Sequence, residues 1–294
     1  MTIIQQWGIE FILMLQSFQS PFLDSFFYII TQLGGMAYIL VVPFIIWCIE
    51  PRLGIRALLA MLISQYLVML IKDIVQEPRP YLADSRVISE GDHGYSFPSG
   101  HAMGSMVFYG LLLLWTNKKW WRAAIAALII LIGLSRNYLG VHYPHDIAIG
   151  WLLGIAFLYG WLKWQPVSGD FFYRQPLVRQ LSLLLAIPAL IGIAHYFIFD
   201  SFRPLAIAGA ISAAILSLLV DSRKTLLNIE GSLLQKTGRY ILGTGLMMGT
   251  LIACDAIVPE DGHLIYNVIV WLNGFTLSLT ACYFAPRLFK KTKL

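Results

Sequence analysis

Ser135-Arg136-Asn137-Tyr138-Leu139-Gly140-Val141-His142-Tyr143-Pro144-His145-Asp146 separates two apolar runs, 121–137 and 145–164. Arg136 closes the first run and Gly140 marks a turn. Pro144 has a fixed φ and no N–H, which suits the first position of a new helix. The second run has roughly the 20 residues needed to cross a hydrocarbon core, and the first is somewhat shorter. The stretch therefore predicts a polar turn joining two membrane helices, with Arg136, His142 and Asp146 gathered at their shared end.

The rest of the chain extends this pattern. Of its 294 residues, 58% are hydrophobic and 13% charged, and the mean hydropathy is +0.70. Long apolar runs with short polar breaks predict an all-α, polytopic membrane protein. Nine candidate spans lie near 25–48, 55–75, 101–116, 121–137, 145–164, 181–199, 204–220, 239–257 and 264–285. Residues 1–20 differ from these. Ile3, Ile4, Trp7, Phe11, Met14, Leu15 and Phe18 recur at helical spacing, with Gln5, Gln6, Glu10 and Gln16 on the other side. This predicts an amphipathic helix lying in the bilayer interface and ended by Pro21. Three divisions follow: an interfacial helix over 1–22, a membrane core over 23–165 that holds the polar motifs, and a four-helix extension over 166–294. Asp200-Ser201-Phe202-Arg203-Pro204 joins spans six and seven as a helical hairpin.

Charge placement sets an orientation. Lys72, Arg79, Arg86, Arg136 and Arg203 fall on one side of the predicted bilayer; the other sixteen of the 21 Lys and Arg residues fall on the opposite side or in the C-terminal tail. By the positive-inside rule the crowded side is cytoplasmic. The N-terminus is then outside and the C-terminus inside, as nine spans require. In a bacterium this means the inner membrane, with the motifs facing the periplasm. No Lys or Arg follows Met1 closely and no A-x-A-like site is present, so no cleaved signal peptide is expected. The scattered positive charge predicts no nucleic-acid partner. Three dispersed cysteines (Cys48, Cys254 and Cys282) argue against a disulfide framework or a zinc site.

Two further stretches accompany the first. Lys72-Asp73-Ile74-Val75-Gln76-Glu77-Pro78-Arg79-Pro80 ends the second span. An arginine between two prolines sits on stiff, extended backbone, which suits bidentate contact with phosphate oxygens. Pro98-Ser99-Gly100-His101 opens the third span. With Pro98 at the first helical position, the N–H groups of Ser99, Gly100 and His101 are left unpaired, as an anion site needs. In the third stretch, Asp146 lies in the first helical turn and can reach back to one nitrogen of His142. That bond fixes the tautomer and leaves the other nitrogen free as a nucleophile. Cations to hold a phosphate, one histidine to attack it and another to protonate the leaving oxygen make a kit for phosphoryl transfer without a metal or other cofactor.

The remaining polar residues carry weaker signals. His145 reads as a loop residue without a role. His93, near Glu90 and Asp92, is a candidate for the entrance of the site. His195 and His263 read as structural or interfacial. Asp255, Glu260, Asp261 and His263 read as a solvated acidic loop, and Tyr81, Tyr95, Phe97, Tyr138 and Tyr143 as an aromatic belt.

The patterns K-x6-R-P, P-S-G-H and S-R-x5-H-x3-D, in this order, resemble the signature of the type 2 phosphatidic acid phosphatase superfamily. The resemblance covers about residues 55–165, and Leu23–Cys48 is similar to the first span of bacterial members. It implies that His142 attacks phosphorus and becomes phosphohistidine, that Asp146 orients it, and that His101 protonates the leaving alkoxide and then activates water. It further implies that Lys72, Arg79 and Arg136, with Ser99, Gly100 and Ser135, bind the phosphate. The six-residue gap between Lys72 and Arg79 fits the lipid phosphatases rather than the glucose-6-phosphatases. A lipid phosphate or diphosphate is the expected substrate and the bilayer the expected partner. Undecaprenyl diphosphate, phosphatidic acid, phosphatidylglycerol phosphate and sphingoid-base phosphates all remain open. A phosphotransferase using a hydroxyl acceptor, and a transporter or scramblase that keeps the fold without catalysis, are the alternatives.

Overall fold

The structure is a computed structural model that describes residues 1–89, 91–223, 230–257 and 264–292. Glu90, Lys224, Glu260, Asp261, His263 and Lys293 lie outside the described residues. Every regular element among those described is a helix. The helices are α1 Ile3–Gln16, α2 Pro21–Leu33, α3 Ala37–Phe44, α4 Pro51–Val75, α5 Pro80–Ala83, α6 Gly100–Trp115, α7 Lys119–Tyr138, α8 Pro144–Tyr173, α9 Leu177–Phe199, α10 Arg203–Arg223, α11 Leu233–Ala256, α12 Leu264–Leu279 and α13 Ala285–Thr292. Short π-helical turns, Ile45–Ile49 and Thr280–Phe284, follow α3 and α12.

Among the described residues, five stretches are long and apolar enough to cross a membrane: Pro51–Ala83, Pro144–Tyr173, Leu177–Phe199, Arg203–Val220 and Ile265–Thr292. A sixth is added if α2 and α3, bent by 44° at their break, count as one span. The nine predicted runs exceed this number for physical reasons. Helix α6 is apolar but only 16 residues long. Helix α7 carries Lys119, Arg122 and Arg136, and α11 carries Lys236, Arg239 and Asp255, so charge dilutes their apolar windows.

Contacts divide the chain into two compact units, 1–38 with 64–163, and 39–63 with 164–294. In the first, α7 packs against α1, α2 and α6. In the second, α10 packs against α9 and α12. Glycine makes the α10–α12 approach possible. A Cβ on Gly209 would lie 2.0 Å from the Trp271 carbonyl oxygen, and one on Gly274 would lie 1.9 Å from that of Ala206. Without a large hydrophobic gain between lipid-bathed helices, such backbone proximity supplies much of the packing energy. Cys48, Cys254 and Cys282 are all free thiols.

Helix α1 ends at Gln16, before Pro21; Pro21 instead opens α2, whose N-cap is Ser20. One face of α1 is packed on protein: Ile9 and Ile12 are buried with Val87 and Tyr143. Gln16 clamps the helix end. Its amide nitrogen donates to the carbonyls of Ile88 (2.7 Å) and Tyr138 (2.9 Å), and its oxygen accepts from the Ile88 N–H (3.1 Å). Ile3, Ile4, Trp7, Met14 and Phe18 remain exposed.

Candidate active site

All of the predicted site residues lie in the first unit, at or beside the ends of five helices. Lys72 occupies the last turn of α4, and Gln76 ends that helix in a left-handed conformation, φ 54°. Arg79 caps α5 from extended backbone, φ −70° and ψ 153°, as its flanking prolines predict. Ser99 caps α6, Arg136 lies in the last turn of α7, and Asp146 lies in the first turn of α8. Gly140 takes φ +67° in the turn between α7 and α8, and a Cβ there would lie 2.5 Å from the Ile88 carbonyl oxygen. That turn delivers His142 to the head of α8.

The His142–Asp146 geometry matches the expectation from spacing. Nδ1 of His142 lies 3.2 Å from Oδ2 of Asp146, and both residues are buried. The same Oδ2 accepts from the Ser96 hydroxyl and from the Tyr143 N–H (2.9 Å). With Nδ1 turned to the carboxylate, Nε2 faces the Arg79 guanidinium, 3.4 Å from Nη1. The Asn137 amide donates to the His142 carbonyl (2.8 Å) and fixes the backbone. Burial holds the His142 imidazole well below the ordinary histidine range, and the nearby positive charges of Lys72, Arg136, Arg79 and His101 push it the same way. A neutral imidazole whose Nε2 carries no proton is a competent nucleophile.

The three cations are fixed by the loop between α5 and α6. Lys72 Nζ donates to the carbonyls of Tyr95 and Ser96, the latter at 2.9 Å, so it does not merely reach for the interface. Arg79 donates through Nε to Gly94 O (3.0 Å), through Nη2 to His93 O (2.8 Å) and through Nη1 to Val141 O (3.0 Å). His93 thus contributes its carbonyl, while the residue itself is exposed. Arg136 donates through Nη1 to Thr31 Oγ1 (2.8 Å) and through Nη2 to Asp92 Oδ2 (2.7 Å). Asp92 Oδ2 also lies 3.2 Å from Arg79 Nη1.

The P-S-G-H stretch differs in one respect. Helix α6 begins at Gly100, not at Pro98. The Ser99 hydroxyl accepts from the Ala102 N–H (3.3 Å), and the Ser99 N–H donates to the Asp146 carbonyl (3.1 Å). Ser99 is therefore engaged in capping and in tying α6 to α8, which leaves Gly100 and His101 as the start of the helix. Ser135, also buried, donates its hydroxyl to the Ile132 carbonyl (2.7 Å). His101 lies against the α2–α3 break, where a Cβ on Gly35 would come within 2.9 Å of its Nε2.

Several contributors carried no motif signal. His145 sits in the first turn of α8, not in a loop, and its Nε2 lies 3.1 and 3.2 Å from the two Glu77 oxygens and 3.4 Å from Asp146 Oδ1. Glu77 also accepts from Gln5 of α1 (2.8 Å). Glu77, His145 and Asp146 are the one set of metal-ligand-type side chains drawn together among the described residues. Their spacings are those of an imidazole hydrogen-bonded to a carboxylate. Tyr138 and Tyr143 are buried rather than part of an interfacial belt. No local spacing links these residues; pairs such as Glu77–His145 lie 68 positions apart.

The PAP2 superfamily model matches residues 53–170, which contain every residue of the site. A second model, PAP2 superfamily phosphatase, transmembrane extension, matches residues 205–294. The chain belongs to the PAP2 superfamily. Among curated PAP2 relatives, lipid phosphate phosphatase delta of Arabidopsis thaliana is 29% identical over 200 residues, covering 58% of this chain and 47% of its own. Sphingosine-1-phosphate phosphatase 1 of Rattus norvegicus is 35% identical over 138 residues, 44% of this chain and 32% of its own. Undecaprenyl-diphosphatase of Sulfolobus acidocaldarius is 35% identical over 113 residues, 36% of this chain and 53% of its own. The matches thus span about a third to a half of these PAP2 relatives.

Proposed function

We propose that this protein is an integral membrane phosphatase that hydrolyses a lipid phosphate or diphosphate through a phosphohistidine. The observation that carries the proposal is the buried His142–Asp146 pair with Nε2 turned towards Arg79. In the first step Nε2 of His142 attacks phosphorus, and the bond to the lipid oxygen breaks as His101 gives that oxygen a proton. Asp146 holds the imidazole and balances its positive charge. In the second step His101 takes a proton from water, whose oxygen displaces His142 and releases phosphate. Lys72, Arg79 and Arg136 hold the phosphoryl oxygens, with the Gly100 N–H at the head of α6, the N-cap Ser99 and the buried Ser135 shaping the seat. Three cations at the transferring group supply the charge stabilisation that this reaction needs.

The lipid class is supported by the relatives, whose names share a phosphate or diphosphate on a lipid and differ in the lipid itself. The membrane arrangement we propose has nine crossings, divisions at 1–22, 23–165 and 166–294, and the site on the non-cytoplasmic side. Helix α1 would lie in the interface on its exposed apolar face. The lysine and arginine distribution supports the orientation.

The test is phosphate release by purified protein from phosphatidic acid, phosphatidylglycerol phosphate, sphingosine 1-phosphate and undecaprenyl diphosphate in EDTA, beside His142→Ala. Release in EDTA from at least one lipid, lost in His142→Ala, is expected. Activity abolished by EDTA, or retained by His142→Ala, would defeat the mechanism.

A further inference from the structure

Asp92 occupies the seat that a phosphate would need. Its Oδ2 bridges Arg136 Nη2 (2.7 Å) and Arg79 Nη1 (3.2 Å). Arg136 presents its Nε–Nη2 edge, the edge that takes two oxygens of one anion. That edge is half filled: Asp92 meets Nη2, while Nε is buried without a hydrogen-bond partner. A carboxylate placed this way leaves the Arg136 guanidinium incompletely satisfied.

Charge shows what can replace it. Apart from the exchangeable proton on His101, the charges of the seat are the cations Lys72, Arg79 and Arg136 against the carboxylates Asp92 and Asp146, leaving one positive charge. With Asp92 withdrawn, two are left. A terminal phosphate carries about −1.5 to −2 at neutral pH and matches the vacated seat. A phosphodiester headgroup carries a single negative charge, so exchanging it for Asp92 gains nothing electrostatically. The Asp92 backbone is held, its carbonyl accepting from the Tyr81 hydroxyl (2.7 Å) and its N–H donating to that hydroxyl (3.3 Å), so displacement is of the side chain alone. Gly91 (φ +85°) and Gly94 (φ +75°) flank Asp92 and His93, and nothing lies within 4 Å of a Cβ built on Gly91. Asp92 is 36% exposed, so its side chain has solvent to swing into.

We propose that Asp92 is a specificity-determining residue: its carboxylate fills the Arg79–Arg136 seat until a doubly charged terminal phosphate displaces it, and so turns away the diester headgroups of the surrounding bilayer. The proposal rests on the phosphatase reading of the site.

The test uses full-length protein in mixed micelles with the most active lipid of the panel above, comparing wild type with Asp92→Asn. Two probes compete with substrate: inorganic phosphate and the diester phosphatidylglycerol. In Asp92→Asn the inhibition constant of inorganic phosphate is expected to fall about tenfold, and phosphatidylglycerol should become a competitive inhibitor while leaving the wild type unaffected. Unchanged constants for both probes would overturn the proposal. So would a rise in KM with weaker inhibition by both, which would mean that Asp92 serves to position the arginines. Should Asp92→Asn not fold, Asp92→Glu decides: with the charge kept, phosphatidylglycerol must still be excluded, and its inhibition of that variant would defeat the proposal. Wild-type protein inactive on the whole panel would remove the phosphatase reading instead. The Asp92 proposal would then be judged on whether inorganic phosphate raises the melting temperature of Asp92→Asn more than that of wild type.

Discussion

At the scale of residues, the site places a neutral imidazole among positive charges. Burial and the surrounding cations keep His142 from taking a proton. In the unfolded chain it would do so near the usual histidine value of about 6.5. Below that pH the unfolded state binds the extra proton and the native state does not, so this residue's contribution to stability falls as pH drops through about 6.5 towards its lower native value. Histidine ring NMR of the labelled protein, with the His142 signal assigned by its loss in His142→Gln, should show a neutral ring at about pH 6. A signal titrating at the ordinary value would contradict the burial argument.

Glu77 and His145 belong to the same scale. Asp146 Oδ1 is buried, has no hydrogen-bond partner and faces the His145 ring. The Glu77–His145 pair therefore restrains the carboxylate oxygen that His142 does not use. Glu77→Gln is expected to lower kcat about tenfold, or about 1.4 kcal/mol, with KM nearly unchanged. His145→Ala should do the same, and the double variant should lose little more, because the two act as a unit. Additive losses would assign them separate roles. Position 77 lies inside the K-x6-R-P pattern as an unspecified residue, and His145 stands beside a motif aspartate. Neither partnership was legible, because it depends on the segment between α4 and α5 meeting the head of α8 in space.

Helix starts and stops were largely legible, because proline, serine and glycine act locally. Pro144 opens α8 and Gly140 makes the preceding turn, as their backbone preferences require. The errors are also instructive at this scale. Pro98 precedes its helix by two residues, since Ser99 is the stronger N-cap and its side chain takes the Ala102 N–H. Pro21 starts a helix rather than ending one, for the same reason at Ser20. A helix at α1 was legible, but its spacing did not single out Ile9 and Ile12, which are buried with Tyr143. Gln16 joins the end of that helix to the α7–α8 turn. Gln16→Ala should therefore destabilise the protein by about 1–3 kcal/mol, the cost of leaving the buried Tyr138 carbonyl unpaired, and lower the melting temperature in detergent. An unchanged melting temperature would show that α1 is held by its apolar face alone.

For the whole molecule, composition is enough to make the chain an all-helical membrane protein, and the described elements agree. The number of crossings is less determined, because α6, α7 and α11 are short or charged enough that length and hydropathy do not decide them. Orientation is open to a direct test in intact cells. With Cys48, Cys254 and Cys282 replaced by alanine, a cysteine at Gly91 should react with a membrane-impermeant thiol reagent, and one at Asn117 should not. The reverse pattern would invert the topology.

The sequence alone determined the helical class, the three motifs and the pairing of His142 with Asp146, because each depends on local periodicity, on proline and glycine geometry, or on spacing within one helical turn. Only the tertiary structure placed Asp92 between Arg79 and Arg136, tied Glu77 to His145, and set α1 against the α7–α8 turn. Those contacts join residues tens of positions apart, and no local rule relates them. They form where buried charges find the partners that low-dielectric surroundings demand.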